Sequence, residues 1–375
     1  MLAAPRGRGE PRAKWAAVTS ASDALHARVR AFIEASMRGG PTEPFEALGA
    51  DVARHQIAHV APVARLARAR GLSAEGPIEI DAVPAVPTDV FRLTRVAAHP
   101  PEADVAIFRT SGTTSGARGE HVFRTLATYD AAAMAWGSRH LLEGRTDLAV
   151  ISLTPPPEEA RDSSLVHMIA LFAGAQSGPV TWHLAGGALD PAAIERACAA
   201  ARAEGRAALL TGTSFAFVHL LDAASSLDLR LPPGSRAMLT GGFKGKSREV
   251  PADELRAAIA AAFDLPDAAV VGEYGMTELS SQLYEATLVR THAAHGVYTP
   301  PPWVRVTAVD PVTLRAAPAG EIGIARIVDL ANVDSAVAIQ TADRVRVTGE
   351  GVELLGRLPG ATPRGCSLAV EEVLG

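Results

Sequence analysis

Between residues 105 and 271, short apolar segments of strand length alternate with longer segments of helical periodicity. This alternation constrains the fold more than any other feature, because short apolar strands separated by helices predict a mainly parallel sheet covered by helices on both faces. The predicted strands span residues 105–109, 148–153, 180–184, 207–211, 236–240 and 269–271. The predicted helices span residues 128–142, 163–173, 191–203, 215–224 and 252–263. The fold class is therefore α/β.

The two ends of the chain differ from this central region. Apolar residues at helical spacing predict helices through residues 15–70, after a flexible tail over the first dozen residues. Prolines interrupt residues 77–100, which we interpret as a linker. After residue 300, we predict a small antiparallel region with strands at 303–309, 322–329, 344–347 and 352–355 and a hairpin connection at 349–351. We assign residues 1–44 to an N-terminal tail and helical entry, and residues 45–375 to one large domain.

Composition excludes several classes of protein. The net charge is −5 and the arginines are spread among similar numbers of acids, so we expect no nucleic-acid partner. No apolar run approaches the roughly 18 residues of a membrane span, and none follows the basic N-terminus as in a secretory signal. Only Cys198 and Cys366 occur, which argues against a disulfide framework and favours a cytoplasmic setting.

A segment rich in glycine and hydroxyl residues follows the first predicted strand. Backbone N–H groups, hydroxyls and a nearby positive charge are the groups that bind phosphates, and this segment combines all three. Its spacing differs from that of a Walker loop. The other interpretation is a mobile surface turn. The candidate phosphate-binding residues are Ser111, Gly112, Thr113, Thr114, Ser115, Gly116 and Arg118.

A second segment contains two of the only three lysines in the chain. Lys244 and Lys246 follow Gly241 and Gly242, directly after the predicted strand at 236–240. Glycine permits close approach of a ligand, and lysine presents a compact charge to phosphate or carboxylate. The alternative is a solvated turn with two charges.

A third segment places an aromatic ring and two carboxylates in one turn after the last predicted strand of the central region. Tyr274 could stack on a flat base, and Glu278 could hold a hard cation, which takes oxygen ligands. Taken alone, such a turn is a weak signal. Its residues are Glu273, Tyr274, Gly275, Met276, Thr277 and Glu278.

The C-terminal region adds three candidates. Asp343 could accept hydrogen bonds from sugar hydroxyls, and Arg357 could reach a phosphate or ribose. Cys366 lies in a segment rich in glycine, proline and polar residues, where we expect an accessible loop thiol with its thiolate favoured by nearby cations. Cys198 lies in an alanine-rich predicted helix and is expected to be a small core residue.

In this order, the segments resemble the motifs of the adenylate-forming superfamily, which includes acyl-CoA synthetases, firefly luciferase and peptide-synthetase adenylation domains. Residues 111–116 resemble its phosphate loop, and residues 274–278 resemble its adenine and magnesium motif. Residues 341–343 resemble its ribose-binding aspartate motif, with alanine where glycine is usual. Residues 356–357 resemble the Gly-Arg pair that precedes its hinge.

Within that superfamily, the chain most resembles the acyl-protein synthetase (LuxE-type) family, the long-chain-fatty-acid–luciferin-component ligases. Three segments carry this resemblance: the proline-rich residues 83–91, the Gly-Gly-Phe-Lys turn at 241–244 and the Arg-Gly-Cys-Ser-Leu sequence at 364–368. The chain ends at Gly375, so we expect no separate C-terminal cap domain. Two departures are notable. The phosphate loop lacks the superfamily's usual lysine, and the adenylating lysine of the cap domain has no counterpart.

The resemblance implies an ATP- and Mg²⁺-dependent ligase that activates a fatty or other carboxylic acid as an acyl-adenylate and passes the acyl group to a protein thiol. By resemblance the thiol is that of Cys366, and the partner is an acyl reductase or a carrier protein. Lys244 or Lys246 would supply charge near the phosphates in place of the missing lysines. The alternatives are a phenylacetate-type acyl- or aryl-CoA ligase and a non-catalytic nucleotide-binding relative.

Overall fold

The structure is a computed structural model that describes residues 10–111, 117–224, 226–241, 250–358 and 364–374. Within these ranges, the side chains of residues 10–17, 364 and 365 are not described. None of the helices in the described ranges combines the length and apolar content needed to cross a membrane.

The helices follow the order that the sequence predicts, and several have the expected capping residues. Asp190 accepts a hydrogen bond from Ala193 N at 2.9 Å, and Pro191 occupies the first turn, so this helix begins and ends as predicted. The helices of the described residues are α1 (Glu10–Arg38), α2 (Phe45–His59), α3 (Ala61–Ala69), α4 (Val90–Leu93), α5 (Ala127–Gly137, continued by a π-helical turn over Ser138–Leu142), α6 (Ser164–Gly174), α7 (Pro191–Ala203), α8 (Ser214–Ala223), α9 (Ala252–Phe263) and α10 (Arg364–Leu374), with short 3-10 turns at Ile80–Ala82, Pro101–Ala103 and Asp267–Ala269. Helix α1 begins inside the predicted tail, and residues 1–9 lie outside the described residues.

Most strands join one large mixed sheet. The strands are β1 (Val86–Pro87), β2 (Ala106–Arg109), β3 (Glu120–Phe123), β4 (Ala149–Ser152), β5 (Val180–Trp182), β6 (Leu184–Ala185), β7 (Ala188–Leu189), β8 (Ala208–Thr213), β9 (Arg236–Thr240), β10 (Val270–Tyr274), β11 (Leu283–Glu285), β12 (Val297–Thr299), β13 (Val304–Val309), β14 (Ile322–Asp329), β15 (Ala338–Val347) and β16 (Val352–Arg357). In the described residues the main sheet has the order β13-β14-β15-β16-β12-β11-β10-β9-β8-β4-β5, with β1 paired to β15. Strands β10, β9, β8, β4 and β5 are parallel, and β11 to β16 continue the sheet in antiparallel fashion.

Strands β4, β8, β9 and β10 of the parallel half are buried on both faces, as predicted, whereas the edge strand β5 is partly exposed. Successive residues of a strand point to opposite faces, and Leu209 and Leu210 of β8 accordingly belong to two different apolar clusters. Leu209 packs in the cluster that contains Phe172 of α6, whereas Leu210 packs in the cluster that contains Phe217 of α8. The continuous apolar runs of these strands follow from this two-sided burial.

Two predicted features of the sheet are wrong in detail. The predicted strand at 105–109 does not join the parallel sheet; β2 pairs only with β3 in a separate antiparallel hairpin. Val105 is 72% exposed, so this segment does not have the two-sided burial of a central strand. The predicted strand at 344–347 is the end of the ten-residue strand β15. The hairpin connection at 349–351 is confirmed, since Thr348 and Gly351 bond to each other between β15 and β16.

The predicted loop around Cys366 is a helix. Glycine and proline near residues 363–365 favoured a loop, but Cys366, Ala369 and Val373 recur at helical spacing and are all buried. Arg65 of α3 donates to the carbonyl of Val373 at 2.6 Å. Helix α10 is thus docked against the rest of the protein along one apolar face.

Candidate functional site

Three parallel strands end side by side at one edge of the sheet. Thr213 of β8 pairs with Thr240 of β9, which in turn pairs with Glu273 of β10. Just beyond the strands, Ser214 donates to the carbonyl of Gly241 at 2.6 Å. Ligands of open α/β sheets bind outside the carboxyl ends of the strands, so this edge is the candidate site.

At this edge the end of β10 meets the β15–β16 hairpin, which is distant from it in sequence. Tyr274, at the end of β10, donates its hydroxyl to Asp343 Oδ2 at 2.8 Å. Arg357 of β16 pairs with Asp343 of β15, and its Nε lies 3.4 Å from Asp343 Oδ1. Burial, followed by the Asp343 carboxylate, raises the pKa of Tyr274 well above its usual value, so the phenol stays a hydrogen-bond donor. The structure thus brings together Tyr274, Asp343 and Arg357, which the sequence predicted separately.

Glu273 points into the protein beside this group. Thr240 donates a hydrogen bond to Glu273 Oε2, and burial raises the pKa of Glu273 to about 7, an effect that the Thr240 bond partly offsets. A Cβ at Gly275 would lie 2.5 Å from Glu273 Oε1. A side chain at residue 275 would therefore displace the Glu273 carboxyl from its position.

The turn after β10 is held by residues that sequence reasoning missed. Asn332 donates to the carbonyl of Glu278 at 2.9 Å. Asp329 accepts from Ser280 N at 3.0 Å and from Ser281 Oγ at 2.8 Å. Burial raises the pKa of Asp329 to about 6, and its hydrogen bonds partly offset this effect. A polar residue at the end of a long apolar strand, such as Asp329, is the only sequence signal that could have pointed to this support.

Glu278 is the candidate metal ligand, and its side chain is mostly buried in the turn. Among the described residues, no group of three or more histidine, cysteine or acidic side chains could hold a metal ion by itself. Mg²⁺ in nucleotide sites is bound by one or two carboxylates together with phosphates and water. A single carboxylate at this position fits that mode, in which the nucleotide completes the coordination.

The phosphate-loop segment lies in sequence between β2 and β3. Gly112, Thr113, Thr114, Ser115 and Gly116 lie outside the described residues, and Ser111 is exposed at the end of the described strand. The base of the hairpin contacts the turn after β10, because His121 Nδ1 lies 2.8 Å from the carbonyl oxygen of Thr277. Burial lowers the pKa of His121 to about 4, so the ring is neutral and its Nδ1 donates this bond.

Arg118 has several partners in the structure. Its guanidinium lies 2.7 Å from Asp162 and donates to the carbonyls of Thr110 and Arg109 at 2.6 and 3.2 Å. These bonds tie the two strands of the hairpin together. Binding of phosphate by Arg118 stays a prediction.

The second predicted segment is described only at its first residue. Gly241 has a φ of +70°, which glycine adopts without strain. Gly242, Lys244 and Lys246 lie outside the described residues.

The accessible thiol predicted at Cys366 is wrong for this structure. Cys366 is 3% exposed and packs against Val309 and Ile324. Burial, with a smaller contribution from Asp89, raises the pKa of the thiol to about 11. The net shift of this pKa is upward, opposite to the prediction, because α10 turns the sulfur into the apolar interior. Cys198 is fully buried in α7, as predicted.

Comparison with known proteins decides the family. The family model described as acyl-protein synthetase, LuxE, matches residues 73–375, which is more than half of the chain. The chain belongs to this family. Its match begins after α3, so α1, α2 and α3 of this LuxE-family protein lie outside the matched region. Among curated proteins, no significant sequence match is found.

Solved structures of 2-hydroxyisobutyryl-CoA ligase share the fold of this LuxE-family chain. For 2-hydroxyisobutyryl-CoA ligase with 2-HIB-AMP and CoA, the TM-score is 0.59 at 16% identity, covering 90% of this chain and 68% of that one. For the same ligase in the postadenylation state with 2-HIB-AMP, the TM-score is 0.60 at 15% identity, covering 84% of this chain and 68% of that one. For ATP-bound MatB from Rhodopseudomonas palustris, the TM-score is 0.48 at 18% identity, covering 69% of this chain and 49% of that one. The chain thus spans about half the length of MatB. The predicted fold class is confirmed.

Proposed function

We propose that this protein is an ATP-dependent ligase that activates a carboxylic acid, with fatty acids as the expected class, by forming an acyl-adenylate. The observation that carries the proposal is the hydrogen bond from Tyr274 to Asp343 at the carboxyl edge of the parallel strands. It joins the predicted adenine turn to the predicted ribose-binding aspartate, although 69 residues separate the two in sequence. Membership of the LuxE family and the shared ligase fold support the same reaction.

The candidate residues have complementary roles in this proposal. Asp343 uses one lone pair of Oδ2 for Tyr274, and a carboxylate has about four acceptor positions. Two ribose hydroxyls could therefore still donate to it, with Arg357 beside them. Tyr274 and Gly242 would border the adenine, and the segment 111–116 with Arg118 would bind the phosphates. Lys244 or Lys246 would add positive charge there.

In the proposed first step, a carboxylate oxygen of the acid attacks the α-phosphorus of ATP. The bond from that phosphorus to the bridging oxygen breaks, and pyrophosphate leaves. When bound at Glu278, Mg²⁺ would neutralise phosphate charge. The protein residues contribute orientation and charge stabilisation, which are the main sources of catalysis in such transfers.

In the proposed second step, a thiolate attacks the acyl carbonyl, a C–S bond forms and AMP leaves. For Cys366 to act, α10 must move, since the sulfur is buried against Val309 and Ile324. The polar contacts of α10 include an exposed ion pair between Arg70 and Glu372 and the Arg65 bond to the Val373 carbonyl. Exposed ion pairs stabilise little, so burial of the apolar face is a larger part of the barrier than this ion pair. The thioester would then pass to a reductase or carrier partner.

The burial of Cys366 also favours a second candidate, an acyl- or aryl-CoA ligase. In that reaction the thiol comes from CoA, and α10 keeps its position while Cys366 serves only in packing. The raised pKa of Cys366, to about 11, is what a packing role would produce.

A pyrophosphate-exchange panel across fatty and aryl acids tests the proposal. We expect ATP-dependent exchange with at least one acid and its loss in Asp343→Ala. Absence of exchange with every acid, from folded protein, would reject acid activation. Labelled acid then separates the two acceptors. Hydroxylamine-sensitive label that disappears in Cys366→Ser supports transfer to this cysteine, whereas a soluble CoA thioester formed equally by Cys366→Ser supports the CoA ligase.

A further inference from the structure

The connection between β14 and β15, residues 330–337, forms one wall of the turn that carries Glu278. Asn332 of this connection donates to the Glu278 carbonyl at 2.9 Å and to the Ala336 carbonyl at 3.0 Å. At its start, Asp329 holds the backbone of Ser280. The position of the Glu278 turn therefore depends on the conformation of the connection.

One side chain from α2 fixes that conformation. Gln56 is fully buried, and its Nε2 donates to the carbonyls of Asn332 and Val333 at 2.6 and 2.9 Å. Its Oε1 accepts from Val337 N at 2.8 Å. A single amide thus satisfies three backbone groups at both ends of the connection, and buried backbone groups without partners are costly.

Helix α1 holds the same connection through Asp334. His26 Nε2 lies 3.0 Å from Asp334 Oδ2, and Ser22 donates to Asp334 Oδ1. The Arg124 Nε lies 3.4 Å from Oδ2. The hydrogen bonds from His26 and Ser22 hold the pKa of Asp334 well below its usual range even though the carboxyl is buried. His26 is itself anchored to Thr128 of α5 at 2.8 Å.

We infer that the two N-terminal helices α1 and α2, which lie outside the family match at 73–375, position the Glu278 turn through Gln56 and the Asp334 cluster. Gln56 and His26 are positioning residues in this arrangement and do not touch the candidate ligands. The catalytic consequence rests on the proposed function: loosening the connection should weaken use of Mg·ATP. The mechanical link from α2 to the Glu278 turn does not depend on the proposed function.

Hydrogen–deuterium exchange tests the mechanical link without any assay of activity. The variants are Gln56→Leu, which removes all three bonds, the milder Gln56→Asn, whose neutral amide is one methylene shorter and can keep only part of them, and His26→Ala. The matched control is Arg28→Ala, because Arg28 also lies on α1 but bonds to Glu43 and Asp51 instead of the connection. The amides of residues 276–282 report on the turn, and residues 208–213 of β8 report on global stability.

We expect hydrogen exchange of residues 276–282 to be at least about tenfold faster in Gln56→Leu and His26→Ala, with an intermediate effect in Gln56→Asn and none in the Arg28→Ala control. Exchange in β8 should stay unchanged. Faster exchange of residues 330–337 with unchanged exchange of 276–282 would overturn the inference. If Gln56→Leu does not fold, Gln56→Asn and His26→Ala decide the question.

Pyrophosphate exchange then tests the catalytic consequence. Residues that support a metal ligand from outside typically change metal affinity or activity by about 10-fold or more. We expect KM for Mg·ATP to rise about tenfold in His26→Ala, with kcat changed less and partial recovery of KM in His26→Gln. A loss of kcat of about tenfold in His26→Ala, with KM unchanged, would contradict a positioning role. If the wild-type protein catalyses no pyrophosphate exchange, the proposed function is refuted. The hydrogen–deuterium exchange result still decides whether α1 and α2 position the Glu278 turn.

Discussion

The burial of Cys366 leads to a quantitative prediction for thiol alkylation. At about pH 7.5, a free cysteine with a pKa of about 8.5 is about 9% thiolate, whereas a thiol with a pKa of about 11 is about 0.03% thiolate. Because only the thiolate reacts, iodoacetamide should alkylate Cys366 at least about 300-fold more slowly than a free thiol. Its 3% exposure slows the reaction further.

Undocking α10 should restore the reactivity of Cys366. Ala369→Glu places an unpaired charge on the buried face of α10, where the residue is 2% exposed, and the cost of burying that charge should release the helix. Leu368→Glu is the matched control, since Leu368 is 49% exposed on the same helix. We expect fast alkylation in Ala369→Glu and slow alkylation in Leu368→Glu.

Peptide mass spectrometry after timed alkylation measures both cysteines in one experiment. Cys198 is fully buried in α7 and should stay unmodified in every variant. Its modification in Ala369→Glu would indicate global unfolding instead of undocking. Alkylation of wild-type Cys366 within about tenfold of the rate of glutathione would refute the docked position of α10 in solution.

Three further predictions concern the site and its support. Burial raises the pKa of Glu273 to about 7, so its contribution to stability is present below about pH 4.5 and is lost as pH rises through about 7. Glu273→Gln should therefore gain up to about 3 kcal/mol over the wild type across this range, measured by urea unfolding at each pH. Arg256 forms two bonds of 2.9 Å with the fully buried Glu285. Glu285→Leu alone should cost about 3–5 kcal/mol, and adding Arg256→Met should recover part of it, since the N–H groups of Gly272 and Gly296 still lack their Glu285 acceptor; equal losses would contradict a buried ion pair. Tyr274→Phe removes a bond to the Asp343 carboxylate and should raise KM for ATP about tenfold in pyrophosphate exchange, since such bonds contribute about 1.5–3 kcal/mol.

The central elements could be predicted because their signals are local. The helix at 191–203 has its cap, its first-turn proline and its apolar spacing within one short segment, and its bounds were predicted without error. The same holds for the strands at 236–240 and 322–329. The convergence of Tyr274 and Asp343 followed from the order of motifs, which the resemblance supplied and periodicity did not.

The errors arose where long-range packing outweighs local signals. Glycine and proline near residue 365 indicated a loop, yet the apolar face of α10 gains burial against α3 and β1. The segment at 105–109 has the pattern of a strand, but periodicity does not tell which strand it pairs with.

The sequence by itself determined the α/β class, the order of the central elements and the set of candidate residues, because hydrophobic period and turn chemistry act over a few neighbouring residues. Only the tertiary structure decided that Cys366 is buried and that Gln56 supports a turn more than 200 residues away, through a hydrogen bond to Asn332 that spans 276 positions. Such contacts depend on strand register and helix docking, which the whole chain sets together and no local pattern records.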